Sequence, residues 1–246
     1  MTRLNSFHLP AESWPGDQNG PWVLDGPEAR HLLKVLRAAP GERLRLFDGQ
    51  GREGLFVLES AERGRALLTP ESITALPLPQ DRLVLALGWN KSSRRDWLLE
   101  KAVELGAWGL AFWRAERSQG EPPTAPKDSW QDKLVQAAKQ CANPWLPQLA
   151  VIPGGIQGLA AFAQGFEQCY LCWEKAETRH LPAPGDLGRG RVLVVLGPEG
   201  GLEPVEADRL LEAGFRPLSL GPSVLRWETA ALLCMGLAHL DRGSRP

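Results

Sequence analysis

Cysteine is scarce in this 246-residue chain, and its four cysteines do not form a recognisable metal site. Cys169 and Cys172 have the Cys-x-x-Cys spacing, but no second pair and no histidine cluster completes a zinc set. The segment around them is a predicted strand, in which residues three apart point to opposite faces. We therefore expect ordinary buried thiols in a reducing compartment, and no metal.

Excess charge and long apolar runs are also absent. The formal net charge is −1, so no global field attracts nucleic acid and any basic surface must be local. The N-terminus has no apolar signal core, and no apolar run approaches membrane-spanning length. These absences predict a soluble, cytoplasmic protein that is not inserted in a membrane.

Residues 192–201 have the strongest ligand-site pattern in the chain, and they lack both of the common phosphate-binding motifs. Five consecutive apolar residues, 192–196, predict a strand that is covered on both faces, and a glycine-rich turn follows at 197–201. No Gly-Lys-Ser/Thr or Gly-x-Gly-x-x-Gly sequence is present there, and Glu199 within the turn would repel a polyphosphate. The pattern indicates a strand–loop–helix site for a small ligand, although such a turn taken alone is more often structural.

A second glycine turn, residues 220–226, also lies between a predicted strand and a predicted helix. In open parallel sheets, ligands bind outside the carboxyl ends of the strands. Two such loops, with a third strand end at Cys172 and Trp173, predict a pocket lined by backbone amides and carbonyls. Such a pocket suits a nucleoside-containing cofactor without strong phosphate charge. Just beyond, Arg226 and Glu228 are either functional groups or a capping ion pair.

The first seventy residues predict a small module of short strands and one helix. The helix covers about 28–38, and its apolar face includes Leu36. Its opposite side is basic and comprises Arg30, Lys34 and Arg37, with His31 at the border. Residues 28–45 sum to a net charge of +3, which favours a phosphate-contacting patch over an ordinary solvated face. Predicted strands at 43–47, 53–58 and 65–68 indicate a small β-barrel, which a proline-rich linker at 73–80 ends.

The remainder alternates strands with helices, which predicts a mostly parallel α/β sheet. Strands are predicted at 83–87, 110–113, 149–152, 168–173, 192–196 and 215–220. Helices are predicted at 93–106, 129–141, 156–163, 204–212 and 227–240, the first with a capping box at Ser93–Asp96.

The two glycine turns together, Leu196–Gly201 and Leu220–Ala230, resemble the signature of the knotted SPOUT-class RNA methyltransferases. More narrowly, they resemble the bacterial 16S rRNA uridine-N3 methyltransferases, because residues 31–37, 101–106 and 116–118 also match that family's pattern. The resemblance covers nearly the whole chain. It implies a PUA-like RNA-binding β-barrel at residues 1–72 and a SPOUT α/β domain at 73–246, with a mostly parallel sheet and a deep C-terminal trefoil knot.

The resemblance also implies an activity and its partners. The cofactor would be S-adenosylmethionine, and the reaction would be methyl transfer to N3 of a specific uridine in 16S rRNA of the small ribosomal subunit. The protein would act as a homodimer with its pocket near the subunit interface. Two alternatives stay open, a ribose 2′-O methyltransferase of the same class and a non-catalytic RNA-binding assembly protein that kept the fold.

Site residues follow from the same resemblance. The cofactor would be held by Trp173, Leu196, Gly197, Pro198, Gly200, Gly201, Leu220, Gly221, Ser223 and Leu225. Catalytic candidates are Arg226 and Arg117, as stabilisers of charge on the uracil, and Glu228, as a base or as an orienter of Arg226. RNA-binding candidates are Arg3, Arg30, His31, Lys34 and Arg37. The chain departs from relatives at Ser223, Trp227 and Ala142–Asn143, so no family role carries over to these side chains.

Overall fold

The computed structural model describes residues 4–15, 22–91, 93–174 and 180–243. The chain divides into two compact units. The N-terminal unit comprises residues 1–78 and 135–146, and the C-terminal unit comprises residues 79–134 and 147–246.

The N-terminal unit is built on a five-stranded mixed sheet. Its strands are β1 (Asn5–His8), β2 (Trp22–Leu24), β3 (Arg43–Phe47), β4 (Arg52–Glu62) and β5 (Arg65–Ala75). They lie in the order β1-β3-β4-β5-β2, with β1 parallel to β3 and the other neighbours antiparallel. β3 has its predicted ends. The hairpin strands β4 and β5 are longer than predicted, because irregularities at Leu55/Phe56 and Leu58/Ser60 let them bend without ending.

Aromatic rings fill the core of this unit. Trp22 is 2% exposed, and its ring centroid lies 5.1 Å from that of Trp14 and 4.8 Å from that of Phe56. Edge-on and tilted arrangements of this kind add specific geometry to the burial of apolar area. β5 continues to Ala75, so the strand extends into the segment that was predicted as a linker.

The predicted helix at 28–38 is shorter and less regular than expected. α1 (Gly26–Arg30) passes into one π-helical turn, His31–Val35, and Arg37 has a left-handed φ of +54°. In a π turn the backbone hydrogen bonds join residues five apart instead of four, so side chains no longer stack at the spacing of an α-helix. The prediction for Leu36 is therefore wrong, since this residue is 38% exposed, whereas Ala29 and Leu32 are buried.

Residues 135–146 complete the N-terminal unit, which was not predicted. Lys139 Nζ donates to both carboxylate oxygens of Glu28 at 2.8 Å. Further along, the Leu146 N–H donates to the Gly49 carbonyl at 2.9 Å, and the Gly51 N–H donates to the Pro144 carbonyl at 3.1 Å. A segment far along the chain thus belongs to the same compact unit as the first strands.

The C-terminal unit is a parallel α/β sheet, as predicted. Its strands are β6 (Arg82–Gly88), β7 (Gly109–Trp113), β8 (Gln148–Ile152), β9 (Gln168–Cys172), β10 (Arg191–Leu196) and β11 (Arg216–Leu218). Their order is β11-β9-β10-β6-β7-β8, and every neighbouring pair is parallel. Its helices are α2 (Arg94–Glu104), α4 (Gly155–Ala163), α5 (Pro204–Glu212) and α6 (Trp227–Gly243). The helix α3 (Asp128–Cys141) has residues 128–134 in this unit and residues 135–141 in the N-terminal unit.

β10 is an interior strand of the sheet, between β9 and β6, and its residues 192–196 are buried. Val192–Val195 have no exposed surface, as the unbroken apolar run predicts for a strand covered on both faces. Because β9, β10 and β6 are adjacent and parallel, their carboxyl ends meet at one edge. The capping box predicted at Ser93 is not formed, while Glu203 and Glu206 form a reciprocal one at the start of α5.

All four cysteines are free thiols, but the prediction that they are buried is correct only for Cys234. Cys141 is exposed, and Cys169 and Cys172 are partly exposed, because these three lie at or next to the end of a helix or of a strand. The hydrogen bond with Cys172 and complete burial raise the pKa of the Cys234 thiol, which keeps it uncharged. Among the described residues, no helix combines the length and the apolar character that a bilayer crossing requires. The trefoil knot implied by the resemblance stays a prediction.

Candidate functional site

The first glycine loop is pressed against the end of the neighbouring strand. A Cβ atom placed on Gly88, the last residue of β6, would lie 2.4 Å from the Pro198 nitrogen and 2.7 Å from the Gly197 carbonyl carbon. The loop closes on itself through a 2.8 Å hydrogen bond from the Gly201 N–H to the Pro198 carbonyl, with Gly201 at φ +71°. Glycine is thus needed on both sides of this contact, and Gly88 was not singled out from the sequence because its partner is distant along the chain.

The two glycine loops line adjoining cavities. The larger, of about 590 Å³, lies between the first loop and residues 224–228, and the smaller, of about 160 Å³, lies under residues 218–225. Cys172, Glu174 and Leu225 line both. The ten predicted cofactor residues all line one or both cavities: Leu196, Gly197, Pro198, Gly200, Gly201 and Leu225 the larger, and Trp173, Leu220, Gly221, Ser223 and Leu225 the smaller. The structure therefore brings this predicted set together.

Two indole N–H groups at these cavities lack a protein acceptor. The Nε1 atoms of Trp173 and Trp227 are buried and make no hydrogen bond within the described part of the chain. Trp173 lines the smaller cavity and Trp227 the larger. A buried donor without an acceptor costs free energy, so both positions fit a ligand that carries hydrogen-bond acceptors. Trp227, noted from the sequence as a departure, is 5% exposed and forms part of the wall.

A buried carboxylate faces an arginine that was not predicted. Glu228 is 5% exposed, and its Oε1 forms an ion pair with Arg94 Nη1 at 2.9 Å. Arg226 is exposed and, among the described residues, has no ion-pair partner. Arg94, Arg226 and Glu228 all line the larger cavity. The sequence predicted Glu228 as a possible orienter of Arg226, but its carboxylate contacts Arg94 instead. Arg94 lies outside the motifs that carry the resemblance.

Arg117 fastens a neighbouring loop to the first glycine loop. Its Nε donates to Glu203 Oε1 at 2.7 Å, and its Nη1 donates to the Gly200 carbonyl at 3.2 Å. The hydrogen bond and the charge of Glu203 raise the pKa of Arg117. The adjacent Glu116 N–H donates to Glu206 Oε1 at 2.9 Å. These contacts place Arg117 beside the glycine loop, at the N-terminus of α5.

The predicted RNA-binding residues of the N-terminal unit are all exposed where they are described. Arg30, His31, Lys34 and Arg37 are in this group, and Arg3 lies outside the described residues. The other two cations of the predicted patch are neutralised: Arg43 pairs with Glu71 at 2.9 Å, and Arg45 donates to Glu53 at 2.6 Å. Among the residues that the structure describes, the cations of this patch without an ion-pair partner are therefore Arg30, Lys34 and Arg37.

The chain is similar to known proteins in both sequence and fold. Residues 76–239 match the model of an RNA methyltransferase domain, and residues 24–71 match that of an RNA methyltransferase PUA domain. The ribosomal RNA small subunit methyltransferase E of Mycobacterium bovis is 30% identical over 221 residues, which are 87% of this chain and 84% of the relative. The crystal structure of a probable rRNA-methyltransferase from Porphyromonas gingivalis has a TM-score of 0.82 at 31% identity, covering 98% of this chain and 99% of its own. The ribosomal RNA small subunit methyltransferase E from Neisseria gonorrhoeae, bound to S-adenosyl methionine, has a TM-score of 0.74 at 27% identity and covers 94% and 95%.

Proposed function

The chain belongs to the RNA methyltransferase family, and from that premise we propose that it is an S-adenosylmethionine-dependent methyltransferase of small-subunit ribosomal RNA. The observation that carries the proposal is the pair of glycine loops around the cavity of about 590 Å³. A relative with the same fold binds S-adenosyl methionine, and the cavity here has the backbone lining and buried N–H donors that suit a nucleoside. The absence of lysine from both loops fits a cofactor without phosphate.

The finer proposal is methylation of N3 of one uridine in 16S rRNA. Support comes from the combined motifs at both glycine loops, in the helix α2 and at Glu116–Ser118. Uracil N3 carries a proton at neutral pH, and the neutral group is a poor nucleophile. The protein must therefore favour loss of that proton and align N3 with the methyl group that the cofactor supplies. In this proposal Arg226, which lines the cavity, stabilises negative charge on the uracil oxygens.

RNA binding is assigned to the N-terminal unit, within the PUA domain match. Its exposed cations, Arg30, Lys34 and Arg37, would contact phosphates, while a splayed-out base would enter the cavity of the C-terminal unit. A homodimer is part of the proposal. Trp97 on α2 is 39% exposed, and Leu233 and Leu240 on α6 are 38% and 69% exposed, which leaves apolar surface for a second copy.

The decisive experiment is product mapping. The protein is incubated with labelled S-adenosylmethionine and small subunits from a strain that lacks the modification, and the labelled nucleotide is identified by mass spectrometry. N3-methyluridine at one position is the expected result. A 2′-O-methylated nucleotide would replace the proposal with the ribose methyltransferase. Absence of calorimetric binding of S-adenosylmethionine would favour the non-catalytic assembly protein.

A further inference from the structure

We propose that Arg94, held by Glu228, is a catalytic residue that stabilises the anionic uracil, and that Glu228 is a positioning residue and not the proton acceptor. The inference rests on the proposed function and adds to it a residue that lies outside the motifs carrying the resemblance. It starts from the ion pair between the first residue of α2 and the second residue of α6.

The two side chains of the ion pair differ in burial. The side chain of Glu228 is 7% exposed, whereas that of Arg94 is 55% exposed. A guanidinium has five N–H donors in a planar fork, so the contact with Glu228 does not engage all of them. A third cavity, whose lining includes Ser93, Arg94, Trp97 and Arg226, adjoins the larger one, and Arg94 borders both. The exposed part of Arg94 therefore lies where the two cavities meet.

Charges of both signs line the larger cavity. The charged side chains that line it are Arg94, Arg226, Glu174, Glu199 and Glu228. The methyl donor is a sulfonium cation, and pairing of Arg94 with Glu228 means that Arg226 is the one guanidinium on this wall whose charge is not offset by an ion pair within the described residues. With Glu228 at 2.9 Å, the Arg94 pair is neutral as a whole, and a guanidinium in such a pair can still donate hydrogen bonds to an anion. Because Glu228 Oε1 is ion-paired with Arg94 Nη1, we assign to Glu228 the task of holding the guanidinium in place.

The transfer balances without a protein base. The N3 proton passes to solvent water or hydroxide, and the negative charge spreads over N3 and the two carbonyl oxygens of the uracil. The N3 electron pair then forms a bond to the methyl carbon, the carbon–sulfur bond breaks, and the sulfur keeps that electron pair. The products are a neutral N3-methyluridine and a neutral thioether. Arg94 donates hydrogen bonds to the uracil while it is anionic, which favours loss of the proton.

A substrate with a more acidic N3 tests this role. Small subunits are prepared from a strain lacking the modification, grown with or without 5-fluorouracil, because the fluorine withdraws electrons and stabilises the N3 anion. Arg94→Gln should lower methylation of ordinary subunits by about 100-fold. On fluorinated subunits, and as the pH rises, most of this loss should be recovered. Arg94→Lys should lose less, and Glu228→Gln should show a smaller loss with the same recovery.

Controls and a second readout separate this role from a structural one. Arg191→Gln removes an arginine that is ion-paired with Glu167 at 3.1 Å, at the start of β10 away from the cavity, and should behave as wild type on both substrates. In filter binding without cofactor, wild type should prefer fluorinated subunits increasingly as the pH rises, and Arg94→Gln should lose this preference.

The outcomes are distinguishable. If wild type forms no N3-methyluridine, the proposed function itself fails. If wild type forms it and Arg94→Gln is equally impaired on both substrates, or is not impaired, the role of Arg94 is overturned. A Glu228→Gln variant that stays inactive on fluorinated subunits at high pH would make Glu228 the proton acceptor. Should Arg94→Gln fail to fold, the same comparison with Arg94→Lys decides.

Discussion

His8 Nε2 lies 3.3 Å from the backbone carbonyl oxygen of Asp48, and the imidazole packs against the Phe47 ring with centroids 5.3 Å apart. Burial lowers the pKa of His8, and the Asp48 carbonyl, with nearby carboxylates, only partly offsets this effect. The neutral imidazole is therefore the form that the folded N-terminal unit prefers. This relationship makes the stability of the unit depend on pH.

The sign of that dependence follows from proton binding. Above about pH 6.5, His8 is neutral in both the folded and the unfolded chain, and the full stability is present. As the pH falls below that value toward the lower folded-state pKa, the unfolded chain takes up a proton that the folded chain does not, so the free energy of unfolding decreases. We expect a lower urea midpoint at pH 5.5 than at pH 7.5, and a smaller difference in His8→Gln. His31→Gln, an exposed histidine of the same unit, should keep the wild-type difference, and an unchanged difference in His8→Gln would contradict the assignment.

Gly88→Ala tests the contact under the first glycine loop. The new Cβ would meet Pro198 backbone and ring atoms at 2.4 and 2.6 Å, so the loop must move. Overpacking of this kind costs about 1–3 kcal/mol of unfolding free energy, and here it should also weaken S-adenosylmethionine binding. Urea unfolding and calorimetric titration measure the two effects. Gly165→Ala is the matched control, since its Cβ would meet only the Phe162 carbonyl at an ordinary 3.6 Å. Wild-type affinity in Gly88→Ala would show that the loop does not need this approach.

The parts of the fold that sequence predicted are those with local signals. The run 192–196 is uniformly apolar, so a strand covered on both faces was predictable. The sequence of β3 alternates in residue type, and turns that contain glycine or proline flank it. Both glycine loops could be recognised from their residue types alone. Their meeting at one cavity could be expected because parallel strands share a carboxyl edge.

The parts that escaped prediction depend on distant contacts. Residues 135–146 comprise the second half of α3 and the segment after it, and nothing in their composition indicates that they contact Gly49, Gly51 and Glu28. Arg94 stands among ordinary helix-start residues, and only its 2.9 Å distance to Glu228 distinguishes it. The π turn at His31–Val35 is also invisible to a helical-period analysis, which is why the basic residues were expected to form one regular stripe.

The basic cluster of the N-terminal unit should supply salt-dependent RNA binding. Replacing Arg30, Lys34 and Arg37 with glutamine removes three exposed cations and should weaken RNA binding at low salt. The slope of log affinity against log salt should flatten by about 2, which corresponds to three lost phosphate contacts. Filter binding over a salt series measures both. Arg43→Gln, whose charge is already paired with Glu71, should have a much smaller effect, and an unaltered slope in the triple variant would assign the cluster to a plain solvated surface.

Arg226→Ala separates catalysis from cofactor binding. Arg226 is exposed at the cavity wall, and its structural contribution, acceptance of the Ala230 N–H by its carbonyl at 2.9 Å, comes from the backbone and survives the substitution. Turnover should fall by about 100-fold, as when one preorganised donor to a developing negative charge is lost. The dissociation constant for S-adenosylmethionine should change little, because the guanidinium would stabilise charge on the RNA base.

Single-turnover kinetics and calorimetric titration on the same preparations measure these two quantities. Arg209→Ala, an exposed arginine on α5, is the control and should leave both unchanged. Normal turnover in Arg226→Ala, or a loss of cofactor affinity that accounts for the whole decrease, would remove Arg226 from catalysis. If Arg226 and Arg94 stabilise the same anion, turnover in the double variant should fall by less than the product of the two single decreases. The two guanidinium groups would then act on one negative charge, so their contributions to turnover are not independent.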